Sequence, residues 1–182
     1  HANTQDTKVE ELLQEVINLK QEENYEEALS TLESIATDNS DNIDVILEIA
    51  DCYMQMGKFE SANEFLENLS PQILNNEKIR QVKSTIELAQ SEPVDDANIS
   101  KLKEKIEENP SDHQSIIDLS LYYNSVGEKS LAADLLIKSI HIDREWNEKA
   151  SQTQLLKFFE AWGFADPVTV EKRKDLSAIL FS

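Results

Sequence analysis

The sequence predicts an all-α fold, a solenoid of about ten helices in five antiparallel pairs, and three observations support it. Two similar stretches, NYEEALSTLESI and KFESANEFLENL, start 34 residues apart, so Tyr25 aligns with Phe59 and Ala28 with Ala62. The 182 residues include only 3 Gly and 4 Pro, and 40% of them are hydrophobic. The alternating β-branched residues and frequent turns that strands require do not occur at the necessary density.

The 34-residue spacing is the period of tetratricopeptide helix hairpins. One such hairpin cannot bury its apolar face alone, so several must stack. Regular units are predicted at 9–42, 43–76 and 113–146. Gly57 and Gly127 stand at two of their turns, where glycine can take the left-handed conformation that reverses the chain.

The segment between the regular units, roughly 77–110, is predicted to be a degenerate repeat. Its helices span about Asn76–Ala89 and Ala97–Glu108, and the turn between them lies around SEPVDD. Gly57 and Gly127 are 70 residues apart, which leaves room for one such unit between the regular ones.

Two helices are predicted after the last regular unit. The first spans Ala150–Trp162, and the second runs from Pro167 to about Leu180, since aspartate followed by proline is typical of a helix start. Residues 8–182 are therefore interpreted as a single tetratricopeptide-repeat domain with C-terminal capping helices. Residues 1–7 are expected to be a disordered start or a cloning remnant.

The charge balance excludes several partners. The net charge is −19, from 36 acidic and 17 basic residues, whereas nucleic acids and anionic membranes bind basic faces. No apolar run approaches the ~20 residues that span a bilayer. A single cysteine, Cys52, fits a reducing compartment, so we expect a cytoplasmic protein that contacts neither nucleic acid nor membrane.

The residue types that carry catalysis or bind metals do not form recognisable sites. The histidines are not spaced as zinc ligands, and His113 and His141 are expected to be exposed near helix ends. Cys52 is expected to pack between helices, with a pKa raised by Glu48 and Asp51. Three glycines in three separate turns cannot form a phosphate loop. We therefore predict no catalytic residue, cofactor or metal.

The first helix of each repeat supplies the candidate binding surface. The positions of this helix that line the concave face of a tetratricopeptide solenoid are mostly apolar or acidic in this sequence. A clamp for a carboxylate terminus needs convergent cations instead. Such a groove suits an amphipathic helix or an unfolded segment, although packing against neighbouring helices is an equal alternative. The candidate contact residues are Leu13, Ile17, Leu47, Met54, Ile117 and Leu121.

The last segment, DPVTVEKRKDLSAILFS, is the second candidate surface. It contains the densest basic cluster of the chain, Lys172 to Lys174, and then an apolar end. This segment is either a helix that caps the solenoid or a helix that docks into a partner. The candidate docking residues are Leu176, Ile179, Leu180 and Phe181.

The C-terminal part of the sequence, roughly 115–182, resembles the tetratricopeptide region of YbbN-like (chaperedoxin) thioredoxin-family co-chaperones. Members of that family carry a thioredoxin domain ahead of the repeats, and that domain is absent from this sequence. The resemblance implies a bacterial co-chaperone that holds unfolded or partly folded proteins and cooperates with a GroEL-type chaperonin. The matching terminal residues are Asp166, Pro167, Lys172, Arg173, Leu176, Leu180 and Phe181, with Ile179 in place of a leucine.

These observations favour a non-enzymatic protein-binding domain of such a co-chaperone. Two alternatives remain open at this point. The chain could be a scaffold that binds one fixed folded partner in an assembly complex, or it could be part of a thiol oxidoreductase.

Overall fold

A computed structural model describes residues 2–91 and 94–182 of the chain. All regular secondary structure within these ranges is helical, so the all-α prediction is confirmed. The eleven helices formed there are α1 (Ala2–Gln21), α2 (Tyr25–Ala36), α3 (Ile43–Gln55), α4 (Phe59–Glu67), α5 (Pro71–Leu74), α6 (Glu77–Ala89), α7 (Asp96–Glu108), α8 (His113–Ser125), α9 (Lys129–Ile142), α10 (Trp146–Trp162) and α11 (Pro167–Leu180).

The observed bounds agree with most predicted ones. Helices α6 and α7 lie within one residue of the two helices predicted for the degenerate repeat, and α11 has its predicted bounds. Part of the predicted SEPVDD turn, Glu92 and Pro93, lies outside the described residues. Helix α1 already begins at Ala2, within the segment expected to be a disordered start, and the four-residue α5 was not predicted.

Glycine closes the turns that follow α3 and α8. Gly57 has φ +71° and Gly127 has φ +82°, the left-handed conformation that the sequence predicted. In both turns the next N–H donates to the carbonyl five residues earlier at 2.8 Å, Lys58 to Tyr53 and Glu128 to Tyr123. These bonds satisfy carbonyls at the helix end and turn the chain towards the next helix.

The chain forms two compact units, the first ending at Ile86 and the second beginning at Glu87. In the first unit, α1 packs on α2, α2 on α3, and α3 on α4. Ala28, Ala50 and Ala62 are completely buried, which allows close approach of the helices. The largest fully buried side chains there are those of Val16, Leu32, Ile49, Leu66, Ile79 and Ile86.

The second unit is organised around α9. Helices α8, α10 and α11 all pack against it, and α7 packs against α8. Helices α10 and α11, which the sequence predicted as the fifth pair, therefore both lie against α9. The core cluster there contains Ala132, Ala133, Leu136, Ile140, Leu155, Phe158, Phe159 and Leu176.

A buried polar chain crosses the second unit, and it corrects the expectation that His113 is exposed. The His113 side chain is 4% exposed, and its Nδ1 lies 2.6 Å from Oγ of Ser139. That oxygen lies 2.6 Å from Oγ of Ser151, and the imidazole ring packs on Trp146 with 5.0 Å between centroids. His113 therefore joins α8, α9 and α10 inside the unit.

The start of α10 contains a left-handed turn. Asn147, Glu148 and Lys149 have φ values of +46°, +55° and +64°, and the regular helix follows from Ala150 as predicted. Each non-glycine residue in this conformation costs about 1–2 kcal/mol. The turn brings Trp146 back against His113 and Ser151 towards Ser139.

Candidate protein-interaction site

The predicted groove residues of the first unit border a shared ion-pair cluster. Nζ of Lys20, at the end of α1, lies 2.5 Å from Oε2 of Glu48 and 2.6 Å from Oδ2 of Asp51 on α3. Ile17 lies one turn before Lys20, and its side chain is 47% exposed. Leu47 and Met54 lie one turn on either side of Asp51. The ion pairs thus hold the apolar faces of α1 and α3 side by side.

The remaining side chains of this surface are only partly available. Leu13 packs partly against the core that lies between α1, α2 and α3. Leu47 and Met54 are half-buried against the core that α3 shares with α4 and α6. Ile17 is therefore the main exposed apolar side chain, and the other three form a partly open surround. We call the set Leu13, Ile17, Leu47 and Met54 the first-unit patch.

The charges beside the first-unit patch also set the state of Cys52. Partial burial alone would lower the pKa of Lys20. Hydrogen bonds to Asp51 and Glu48 outweigh this effect and hold the pKa well above its ordinary value. The Cys52 thiol is completely buried. Burial, with smaller contributions from Asp51 and Glu48 against the opposing effect of Lys20, raises the pKa of Cys52 to about 11. The thiol is neutral near pH 7 and a poor nucleophile.

The second unit places its two predicted groove residues differently. Ile117 is only 8% exposed and belongs to the core cluster on α9, so its side chain offers little surface to a partner. Leu121, one turn later on α8, is half-buried and lines a pocket of about 400 Å³. The other residues lining this pocket are Ser91, Val94, Asn98, Lys101, Leu102, Lys105 and Asp118.

The predicted docking residues of α11 mostly face inward. Leu176 is 5% exposed and lies in the core cluster on α9, against which Ile179 and Leu180 also pack. Phe181 alone projects outward, with 88% of its side chain exposed. The alternative of a capping helix therefore describes three of these four side chains.

The outward side of α11 carries residues that sequence reasoning did not select. Val170, Arg173, Lys174, Ser177, Ala178 and Phe181 line an open depression of about 670 Å³. Their spacing of three or four residues places them along one side of the helix. This periodicity was visible in the sequence, but it does not reveal which side of a short amphipathic helix faces the core. We call these six residues the α11 outer face.

The described ranges contain neither a cluster of metal-binding side chains nor a membrane-spanning helix. No group of three or more His, Cys, Asp and Glu side chains there could hold a metal ion. None of the helices in that part of the chain is both long and apolar enough to cross a bilayer.

Comparisons with known proteins decide the family. Two tetratricopeptide-repeat models match the sequence, one over residues 19–86 and the other over residues 92–181. The chain is a tetratricopeptide-repeat protein. This confirms the predicted solenoid class, and tetratricopeptide repeats are typical of non-catalytic domains that bind other proteins.

Individual relatives of this tetratricopeptide-repeat protein add little about function. A Haemophilus influenzae protein, named only as uncharacterized, is 31% identical over 170 residues, which are 92% of this chain and 76% of that protein. A crystallised domain of unknown function from Vibrio parahaemolyticus is 23% identical, with a TM-score of 0.43, and the match covers 93% of this chain and 98% of that one. The crystal structure of MamA protein is 17% identical, with a TM-score of 0.44, and the match covers 98% of this chain and 93% of that one.

Proposed function

We propose that this tetratricopeptide domain is the client-binding part of a cytoplasmic, thioredoxin-like bacterial co-chaperone. The observation that carries the proposal is the first-unit patch, where Ile17 is nearly half exposed between partly open apolar neighbours. Apolar segments of unfolded or partly folded proteins are the ligands that such a surface suits. The resemblance of residues 115–182 to YbbN-like co-chaperones supports the same function. In this proposal the thioredoxin chemistry belongs to a domain outside this sequence.

The geometry favours weak and reversible binding over a tight complex. Full burial of an aliphatic side chain contributes about 1.5–3 kcal/mol, so burial of the exposed half of Ile17 contributes about 1 kcal/mol. Partly buried neighbours such as Met54 contribute less each. A thioether side chain also adapts to differently shaped ligands, which suits a protein that holds many clients.

The charge of the domain is compatible with this function. At −19, the domain and any bound client repel further copies, and this repulsion opposes aggregation. The Lys20 cluster keeps one cation at the patch fully occupied by Glu48 and Asp51. The site therefore recognises clients through apolar contact and disfavours acidic segments.

A test of client binding compares two pairs of substitutions of the same kind. Ile17→Ser with Met54→Ser removes apolar surface from the first-unit patch, whereas Leu131→Ser with Leu156→Ser removes exposed apolar surface elsewhere. Light scattering follows the aggregation of a chemically denatured client with increasing amounts of each protein. We expect the patch variant to require about tenfold more protein for half-suppression, which corresponds to about 1.4 kcal/mol. An equal loss of aggregation suppression in both double variants, or no loss in either, would contradict the role of the first-unit patch.

Cooperation with a GroEL-type chaperonin is the second part of the proposal. Immobilised domain should retain purified chaperonin, and Phe181→Ser should weaken retention because Phe181 is the exposed apolar side chain at the end of α11. Retention that is unchanged in this variant would remove Phe181 from the contact. A single folded partner bound at one-to-one stoichiometry, without suppression of client aggregation, would instead support the scaffold alternative.

The structure gives no support to the third interpretation, a thiol oxidoreductase that uses this domain. Cys52 is buried and its pKa is raised, whereas catalytic thiols are partly exposed and have lowered pKa values.

A further inference from the structure

We propose that the α11 outer face is a separate docking site for an acidic amphipathic helix of a partner protein. This inference rests on the proposed function only in that the domain binds proteins; it assigns a different surface from the first-unit patch, one that shares Phe181 alone with the proposed chaperonin contact. Three properties of α11 carry it: the division of its sides, its uncompensated cations and the apolar residues at both ends of the face.

The two sides of α11 have separate roles. Thr169, Lys172 and Leu176 point inward and are buried, and they fix the helix on α9. The α11 outer face lies on the other side and is exposed throughout. Its residues can therefore contact a partner without disturbing the packing of the second unit.

The cations of the outer face are not neutralised by the second unit. The inward Lys172 is paired with Asp134, Glu171 and Asp175 at 2.7, 3.2 and 3.6 Å. Neither Arg173 nor Lys174 forms an ion pair with any residue in the ranges 2–91 and 94–182. The guanidinium of Arg173 instead lies over the ring of Phe164, at 5.2 Å from its centroid, which leaves its outer edge available for carboxylates.

Apolar side chains flank these cations along the helix. Val170 precedes them by one turn, and Ala178 and Phe181 follow them by one and two turns. Phe181 lies eleven positions after Val170, which is about 16 Å along a helix, or three turns of a partner helix lying alongside. The complementary ligand has carboxylates in its middle turn and apolar residues on either side, in the helix-in-groove mode.

The charge distribution selects the occupant. A net charge of −19 repels nucleic acids and anionic membranes beyond the immediate surroundings of α11. Self-association of two α11 outer faces would place Arg173 and Lys174 opposite the same cations, which opposes dimerisation through this face. A short helix of a different protein, with its carboxylates confined to the turn beside Arg173 and Lys174, meets less of the long-range repulsion than a polyanion does and none of the repulsion between like cations.

The test uses a designed helical peptide of about 16 residues, which is about four and a half turns and covers the three turns of the face. Its Leu and Phe side chains flank a central turn of Glu, and a matched peptide has Lys in place of every Glu. Fluorescence anisotropy measures the binding of each peptide to the 182-residue protein. The critical variant is Arg173→Glu with Lys174→Glu. Its control, Lys101→Glu with Lys138→Glu, changes the net charge equally at exposed positions of α7 and α9.

The expected result is that the Glu peptide binds at least tenfold more tightly than the Lys peptide. Arg173→Glu with Lys174→Glu should abolish that preference and the control should retain it, and affinity should fall as salt shortens the screening length. Circular dichroism should be unchanged, because both side chains are exposed and neither belongs to the core cluster on α9. Val170→Ser with Phe181→Ser should weaken the Glu peptide without reversing the preference.

Three outcomes would overturn the inference. They are equal binding of both peptides, equal loss in the control variant, and a homodimer in sedimentation analysis that the Arg173 and Lys174 reversal dissociates, since the occupant would then be a second copy. Failure here is distinguishable from failure of the proposed function. Suppression of client aggregation depends on the first-unit patch and should persist in the α11 variant.

Discussion

Substitution of Ser139 by alanine should be unusually costly for such a small change. The Ser139 hydroxyl is the middle member of the buried chain, within 2.6 Å of both His113 Nδ1 and Ser151 Oγ. Its single proton can serve one neighbour while its oxygen accepts from the other. Ser139→Ala therefore leaves two buried polar groups without this partner. At about 1–3 kcal/mol for each unsatisfied group, the expected cost is about 2–6 kcal/mol.

Removal of the Ser151 hydroxyl, the last member of the buried polar chain, should cost less. Ser151→Ala leaves the Ser139 and His113 contact in place, and a typical net hydrogen bond contributes about 1 kcal/mol. The double variant should cost less than the sum of the single ones, because Ser151 is no longer left unsatisfied when Ser139 is lost. Ser125→Ala, which removes an exposed hydroxyl bonded to the Tyr122 carbonyl, is a control expected to stay within about 0.5 kcal/mol.

Tryptophan fluorescence during urea unfolding measures these costs specifically. Both tryptophans of the chain, Trp146 and Trp162, lie in the second unit, and Trp146 packs on His113. If the slope of the unfolding free energy against urea concentration is unchanged, the shift in the unfolding midpoint gives the change in the free energy of unfolding. If Ser139→Ala and Ser151→Ala cost the same free energy of unfolding and the double variant costs their exact sum, the hydrogen-bonded chain of His113, Ser139 and Ser151 is refuted.

Further substitutions test turns, caps and charges. Gly57→Ala should lower the unfolding free energy by about 1–2 kcal/mol in urea titrations, because no atom lies within 4 Å of the added Cβ and only the positive φ is penalised. Glu148→Gly should instead raise the free energy of unfolding by up to about 1 kcal/mol, because glycine adopts a φ of +55° without strain. A loss of stability in this variant would contradict the left-handed turn. The ion pair with Lys129 and two backbone N–H groups lower the pKa of Asp166 below its ordinary 3.8, so its stabilisation exists above that pH and is lost as pH falls. Asp166→Asn should therefore destabilise at pH 7, and its difference from wild type should shrink as pH falls below 3.8, which unfolding midpoints measured at a series of pH values would show. Lys172→Met should lower the free energy of unfolding by about 1–2 kcal/mol at low salt and by less at high salt, because salt screens its ion pairs. A loss of stability that does not depend on salt would contradict this prediction.

Local signals in the sequence predicted the helices well. Asp166 followed by Pro167 marked the start of α11, and its side chain accepts the N–H bonds of Val168 and Thr169 as an N-cap should. Glycine at two turns predicted the left-handed closures because few other residues adopt them without strain. Helix α5 was missed because four residues are too few to show a helical period.

Side-chain orientation was harder to predict than helix position. The apolar stripe of α11 was recognised, yet Leu176 turned out to belong to the core because α9 provides a surface for it. His113 was expected at the surface from its place near a helix start, but Ser139 and Ser151 come from distant parts of the sequence to satisfy it. Both outcomes depend on tertiary neighbours that a helical period does not specify.

The enclosed thiol of Cys52 gives the first unit a built-in reporter. Because this is the one cysteine of the chain and its side chain is buried with a raised pKa, an alkylating reagent can modify it only when α3 separates from its neighbours. The rate of labelling in native buffer thus measures the opening of the first unit, while tryptophan fluorescence reports on the second. A client that binds the first-unit patch should slow the labelling, so engagement of the patch could be followed in unmodified protein.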